Sequence, residues 1–374
     1  MKAGADVDRE PPKTLGTLLD EFFSHHACEN LAPKTVERYR DAAAYLSPEL
    51  LAKPLGEITS LHLSKLETFS LSCLVVSRSG TRACNIRRGC FAATREWSRL
   101  LKSGGHTRKS KTPRPLSAKS VRNIAGLISS AFSRAIKWGL VTVNPATHSE
   151  MPKIKKHHGV AFTPAQQKMA IESATSPWCL RMYLEMVAAT GCRRGEMLAL
   201  RWSDIQEGRA MIARSLSQTR GALTFKSTKT EEPRPISLPM SAIAALDEHR
   251  KRQDGFRRQF GADYSDLDLI FANPDGTPFK PDSISAAVSL LFRRLKLPKG
   301  ASLHSLRHSH CSHLLASGVP LPAVSARLGH GSIRTTQEIY SHMIHGQDDE
   351  AARKWEEFQN QETVLEPRQG GQVQ

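Results

Sequence analysis

"LHSLRHSHCSHLL", residues 303–315, sets four histidines, one arginine and one cysteine close together. Read as a helix, it puts His304, Arg307 and His308 at i, i+3 and i+4, on one face. His310, Cys311 and His313 point elsewhere. Three chemistries compete for such a run: metal ligation, phosphate contact, or a plain helix surface. Arg307 separates the first two. A guanidinium stays protonated and repels a bound cation, whereas its planar fork grips a phosphate with two parallel hydrogen bonds. The face therefore reads as one that handles an anion, with no metal and no cofactor. His308 falls to a supporting place, and His310, Cys311 and His313 to packing and surface.

Working outward, "LGHGSIRTTQEIY", 328–340, closes one helix at His330 and the next at Tyr340. A tyrosine at a helix boundary is commonly a half-buried core aromatic. With an ordinary pKa near 10, it acts as a nucleophile only with help. Upstream, "ATGCRRGEMLALRWSDI", 189–205, opens a glycine turn onto Arg193 and Arg194, with Glu196 following. Guanidiniums beside a helix start suit an oxyanion; an exposed basic turn paired to Glu196 is the plainer alternative. In "STKTEEPRPISLP", 227–239, Lys229 falls at an apparent β-hairpin tip, where an ammonium either reaches a phosphodiester oxygen or faces water.

The whole chain supports an anionic partner. It has 374 residues, enough for two domains, and 53 Lys+Arg against 36 Asp+Glu, a formal charge of +17. An excess of that size points to nucleic acid. The seven cysteines are odd in number and form no CxxC pair, which fits free thiols in a reducing cytoplasm rather than a disulfide framework. The N-terminus carries acids and no apolar core, so it is not a signal peptide. No apolar run approaches a membrane span. A cytoplasmic protein is expected.

The first half reads as all helical over 13–148. Leu15, Leu18, Leu19, Phe22 and Phe23 make one apolar face, Pro33 fits a first helical turn, and Thr59 fits an N-cap. Residues 116–140 form the clearest helix, with Val121, Ile124, Leu127, Ile128, Ala131, Phe132, Ala135 and Ile136 as its apolar set; Asn144 before Pro145 then breaks the chain direction. An insertion near 67–115 interrupts this domain. Its segment 78–114 holds eleven Lys/Arg and a single acid, Glu96, and either lies along phosphates or is a disordered loop. Residues 149–162 read as a linker. In 163–355, a helix ends at Gly191, "RAMIARSLSQ", "ALTFKST" and "PRPISLP" alternate like strands, and helices resume. Residues 356–374 read as a flexible tail.

In this order, "TGCRRGE", "HSLRH", "LGH" and "IY" resemble the tyrosine recombinase (phage integrase) family, across about 13–66 and 116–355. The resemblance implies a mainly α fold with a small β-sheet: an N-terminal helical core-binding (SAM-like) domain and an α+β catalytic domain. It implies a catalytic set of Arg193, Lys229, His304, Arg307, His330 and Tyr340. Arg193 is taken over Arg194 because it directly follows T-G-x, and Lys229 over Lys226 because it precedes the second strand of the hairpin. Tyr340 would attack a DNA phosphodiester, with neither ATP nor metal, and strand exchange would pass through a Holliday junction. The implied partners are double-stranded DNA, a tetramer of this chain on paired sites, and accessory DNA-bending factors, with no membrane. A helix near 348–359 would dock on a neighbouring subunit or fold back on its own chain. The few residues before 13 leave no room for the arm-site domain of many phage integrases. A type IB topoisomerase-like enzyme and a DNA-binding regulator with a dead site are the alternatives.

Overall fold

The computed structural model describes residues 14–64, 116–154, 159–227, 232–340 and 348–362. The basic insertion and Lys229 lie outside the described residues. The chain divides into two compact units, Met1–Lys156 and His157–Gln374, with the division inside the segment read as a linker. No helix among the described residues is long and apolar enough to cross a membrane.

The first unit is helical. Thr14 caps α1 (Leu15–Phe22) through a capping box with Thr17, and the helix runs on through a π-helical turn, Phe23–Ala27, to Asn30. Helix α2 (Pro33–Ala43) starts on Pro33, whose missing N–H costs nothing in a first turn. Two short helices follow, α3 (Pro48–Leu51) and α4 (Ser60–Ser64). Helix α5 (Ala118–Lys137) is capped by Ser117. Leu15, Leu18, Leu19 and Phe22 of α1 share a core with Val121, Ile124, Leu127, Ile128, Ala131 and Phe132 of α5, each large side chain contributing about 1.5–3 kcal/mol of burial. Ile136 departs from its expected place: it is 39% exposed, one position past the buried Ala135 on the helix's solvent side. Asn144 folds the chain back by donating from Nδ2 to the Ser129 carbonyl and the Ser133 hydroxyl.

The second unit begins with α6 (Pro164–Glu172), a helix the sequence pattern did not announce because it buries only Ala170; its start is fixed by a Thr163–Gln166 capping box. Helices α7 (Leu180–Thr190) and α8 (Arg194–Leu198) follow, with the left-handed Gly191 between them. Then come strands β1 (Ile205–Gln206), β2 (Arg209–Ile212), β3 (Arg214–Gln218), β4 (Leu223–Ser227) and β5 (Arg234–Ser237). Helices α9 (Met240–Phe260), α10 (Pro281–Arg294), α11 (Leu303–Ala316), α12 (Leu321–Leu328), α13 (Ile333–Tyr340) and α14 (Asp348–Glu362) complete it. Helix α14 continues past residue 356, where a flexible tail was expected. The core gathers Phe162, Tyr183, Met186, Phe271, Phe292 and Leu306. The architecture is mainly α with a small antiparallel sheet.

The turn between β3 and β4 does not include Lys229. The hairpin tip is the turn between β3 and β4, closed by Thr219 N–H donating to the Ala222 carbonyl. The chain returning from that turn pairs first with β3, ending at Arg214 opposite Ser227, and then with β2, starting at Ile212 opposite Arg234. From 214 to 212 is two residues; from 227 to 234 is seven. Lys229 falls, in sequence, within this surplus of spacing between the paired Ser227 and Arg234 and not in the 219–222 turn; its own placement lies outside the described residues. Alternation along the sequence shows strands but not which stretch of a partner they face, so this was hidden.

Candidate active site

The site grows from two helix ends. The last turn of a helix leaves carbonyls without helical partners, and these ends carry partial negative charge. Helices α7 and α12 both end on a left-handed glycine, Gly191 and Gly329. Their free carbonyls are taken by cationic or imidazole side chains from elsewhere. At α7, Ala188 O accepts from His310 Nδ1 at 2.8 Å, Ala189 O from Arg327 Nη2 at 2.9 Å, and Gly191 O from Arg307 Nη1 at 2.6 Å. At α12, Arg327 O accepts from Arg234 Nε at 3.1 Å, Leu328 O from Arg307 Nη2 at 2.7 Å, and Gly329 O from Arg193 Nη2 at 2.8 Å. Arg307 alone spans both helix ends.

Four of the six expected residues converge here with their side chains. Arg193 starts α8 and donates from Nη1 to Glu196 Oε1 at 2.7 Å. Arg194 turns away to Asp282 and Ser285. Arg307 is only 3% exposed, and burial followed by the neighbouring Arg193 holds its pKa down to about 10; it remains a cation at neutral pH. His304 stands one turn before it, its ring edge-on to His308 with centroids 4.7 Å apart. His304 is open to solvent on its outer side, yet the crowding of the cleft wall, then His308, Arg307 and Arg193, hold it down to about 4. His330 is half-buried; burial and then Arg307 and Arg193 bring it also to about 4. Its Nδ1 lies 2.7 Å from Thr336 Oγ1 on α13, the helix whose last residue is Tyr340. The Tyr340 side chain and Lys229 lie outside the described residues. Lys226, the rejected lysine, is exposed on β4 opposite Ser215.

His308 supports rather than lines the site. A Cβ on Gly159 would sit 2.5 Å from its Nε2, so the glycine lets the backbone close over the ring. His310 is fixed as one tautomer. A carbonyl only accepts, so Nδ1 carries the proton toward Ala188, and Nε2 accepts from Arg327 Nε at 3.1 Å. Burial and Arg327 hold His310 at about 4, neutral. His313 Nε2 is 3.0 Å from the Phe162 carbonyl, and Cys311 is fully buried. The histidine run thus divides by face, as the helical spacing requires.

Four neighbours of these residues escaped sequence reading. Glu196, quoted only as a partner for a basic turn, is 3% exposed and bridges Arg193 to Arg234, whose Nη2 is 2.7 Å from Oε2. Burial acts to raise its pKa, but the hydrogen bond and charge of Arg234, with Arg193, outweigh this and hold the carboxyl below its ordinary value. Arg234 and Arg327 carried no local signal, since their acceptors, backbone carbonyls together with the Glu196 carboxylate and His310, lie 17 or more residues along the chain. Thr336, fully buried beside His330, was legible only as part of a helix.

Residues 162–345 match the model of the phage integrase family. The domain formed by these residues belongs to that family, the tyrosine recombinases. The ICEBs1 integrase of Bacillus subtilis is 28% identical over 247 residues, 65% of this chain and 67% of that protein. A XerC-like tyrosine recombinase of Caldanaerobacter subterraneus is 26% identical over 248 residues, 61% of this chain and 63% of that protein. The chain spans between 55% and 67% of the lengths of these and comparable curated relatives. Among solved structures, the Tn1549 transposon integrase in complex with a circular intermediate DNA shares the fold, with a TM-score of 0.66 at 17% identity, over 93% of this chain and 100% of that one. The lambda integrase tetramer bound to a Holliday junction shares it with a TM-score of 0.57 at 18% identity, over 87% and 77%.

Proposed function

We propose that this protein is a site-specific DNA recombinase that cleaves and rejoins duplex DNA through a 3′-phosphotyrosyl bond on Tyr340, in the integration or excision of a mobile element. The observation that carries this is the anchoring of Arg193 and Arg307 on the consecutive carbonyls of Gly329 and Leu328, directly before His330. Each guanidinium has five N–H donors. Anchored on one edge, it keeps others for the non-bridging oxygens of a phosphodiester, where charge grows in the transition state.

The remaining roles follow from charge and position. Tyr340 Oη attacks phosphorus and the 5′-oxygen leaves, so the backbone bond is exchanged for a phosphotyrosyl bond. Two nearby cations favour the phenolate form of the nucleophile. His304, held neutral, is suited to accept the tyrosine proton and return it on religation. A phosphate between Arg193 and Arg307 would offset the cations that depress His330, letting it donate a hydrogen bond to the same oxygens. Lys229, which lies between β4 and β5 in the sequence, is assigned the proton for the departing 5′-hydroxyl. Relatives by fold bear DNA and, in one case, a Holliday junction as a tetramer; we assign duplex DNA and four subunits on two sites to this chain by the same logic, and accessory DNA-bending factors from the family resemblance alone.

The test is covalent trapping on a nicked duplex. Tyr340→Phe keeps DNA affinity and forms no adduct, because only the hydroxyl is removed. An adduct in that variant would sink the assignment, and failure of the parent to join two DNA sites would leave a cleaving-rejoining enzyme without recombination.

A further inference from the structure

The Arg193 side chain has two protein acceptors, Glu196 Oε1 and Gly329 O, and one part-buried arginine touches the surroundings of both. Arg234 occupies Glu196 Oε2 at 2.7 Å and lies 3.4 Å from Oε1. Its Nε holds the Arg327 carbonyl. Its guanidinium lies where a Cβ on Gly329 would be, 2.7 Å from Nη1. The side chain is 12% exposed, and its backbone is fixed in β5 opposite Ile212.

An arginine and a carboxylate left to themselves form a two-bond, fork-to-fork pair. In such a pair Arg193 would turn both terminal nitrogens onto Glu196 and leave the Gly329 carbonyl. Glu196 is buried, so only protein donors reach its second oxygen: the Arg193 backbone N–H at 3.0 Å and, from the side-chain direction that a second Arg193 bond would need, Arg234 Nη2 at 2.7 Å. We propose that Arg234 is a positioning residue for Arg193: by holding Oε2 of Glu196 and backing Gly329, it limits Arg193 to one side-chain bond with that carboxylate and keeps its remaining donors on the phosphate. Arg234 touches no reacting atom and acts only through Glu196 and Gly329. The proposal rests on the reading of Arg193 as the group that neutralises the scissile phosphate.

The experiment measures single-turnover cleavage of a nicked duplex whose scissile group is either the natural phosphate or an uncharged methylphosphonate. Arg193→Ala is the control: with no negative oxygen to neutralise, its deficit should shrink on the methylphosphonate. If it does not, the reading of Arg193 itself fails. Arg234→Gln should slow cleavage of natural DNA by about 100-fold, with DNA affinity little changed, and its deficit should shrink on the methylphosphonate as that of Arg193→Ala does. Adding Glu196→Gln to Arg234→Gln should restore part of the lost rate, because the competing carboxylate is gone. Arg234→Lys keeps the charge against Glu196 but cannot also hold Arg327 O; it should show the same substrate dependence more weakly, and it serves if Arg234→Gln folds poorly. Equal deficits on both substrates with Arg193→Ala rescued, or a double variant slower than Arg234→Gln, would overturn the proposal.

Discussion

Helices α5 and α12 end with the same local device and to opposite purpose. In both, a left-handed glycine follows the last turn and two backbone N–H groups fold back. Gly139 donates to Ile136 O and Leu140 to Ala135 O; Gly329 donates to Ala326 O and His330 to Ser325 O. Helix α5 is closed by its own backbone, with Arg134 and Lys137 near its end, as the helix dipole favours. At α12 the next three carbonyls, of Arg327, Leu328 and Gly329, are each taken by an arginine from another element. The same motif thus ends a structural helix in one unit and collects cations in the other. Four variants probe the difference.

The largest effect belongs to the residue that joins two helix ends. Arg307→Lys keeps a positive charge but offers no planar fork, so Gly191 O and Leu328 O cannot both be held. Cleavage of a nicked duplex should fall by about 100- to 1,000-fold, and the melting temperature should drop, since each buried carbonyl left unpaired costs about 1–3 kcal/mol. Near-parental cleavage would mean that charge alone, not the joined helix ends, makes the site.

Next comes the one staple that titrates. His310 is neutral in the folded protein with a pKa of about 4, held there by burial and Arg327, against an ordinary 6.5. Between those values the unfolded chain binds more protons than the folded one, so stability is full above about pH 6.5 and is lost as pH falls toward 4, by on the order of 3 kcal/mol. Buried His249, also at about 4, acts in the same direction. His310→Asn keeps a donor toward Ala188 O and removes one titration. Chemical denaturation across this range should show a shallower dependence on pH in the variant; an unchanged slope would remove His310 as an acid-labile tie.

The smallest effect compares the two glycines. A Cβ on Gly139 meets nothing within 4 Å, whereas one on Gly329 strikes the Arg234 guanidinium. Gly139→Ala should cost only the left-handed strain, about 1–2 kcal/mol, with cleavage unchanged. Gly329→Ala should cost the same strain and also slow cleavage. Equal cleavage in the two variants would erase the distinction between the helix ends.

The contrast also marks what was legible in the sequence. The capping of α5 by Ser117, the start of α2 on Pro33 and the shared face of His304, Arg307 and His308 depend on neighbours within four positions, and periodicity exposes them. The division of His310 and His313 from that face follows from the same turn angle. Arg234 and Arg327 could not be seen this way. Their acceptors lie 38 residues off at Glu196, 93 off at Arg327 and 138 off at Ala189, and an arginine bound to a backbone carbonyl leaves no complementary residue in the sequence. The strand surplus around Lys229 was hidden for a related reason: register is a property of two strands, and one sequence segment carries only half of it.

That surplus has a consequence for descent. Adding one residue within Arg214–Gln218 would turn every following side chain of the strand to the opposite face. Between Ser227 and Arg234 both ends are pinned by pairing, and residues can be gained or lost there without moving either ladder. A change of length between these two pinned positions therefore leaves the arginine framework, anchored at Arg234, as it is.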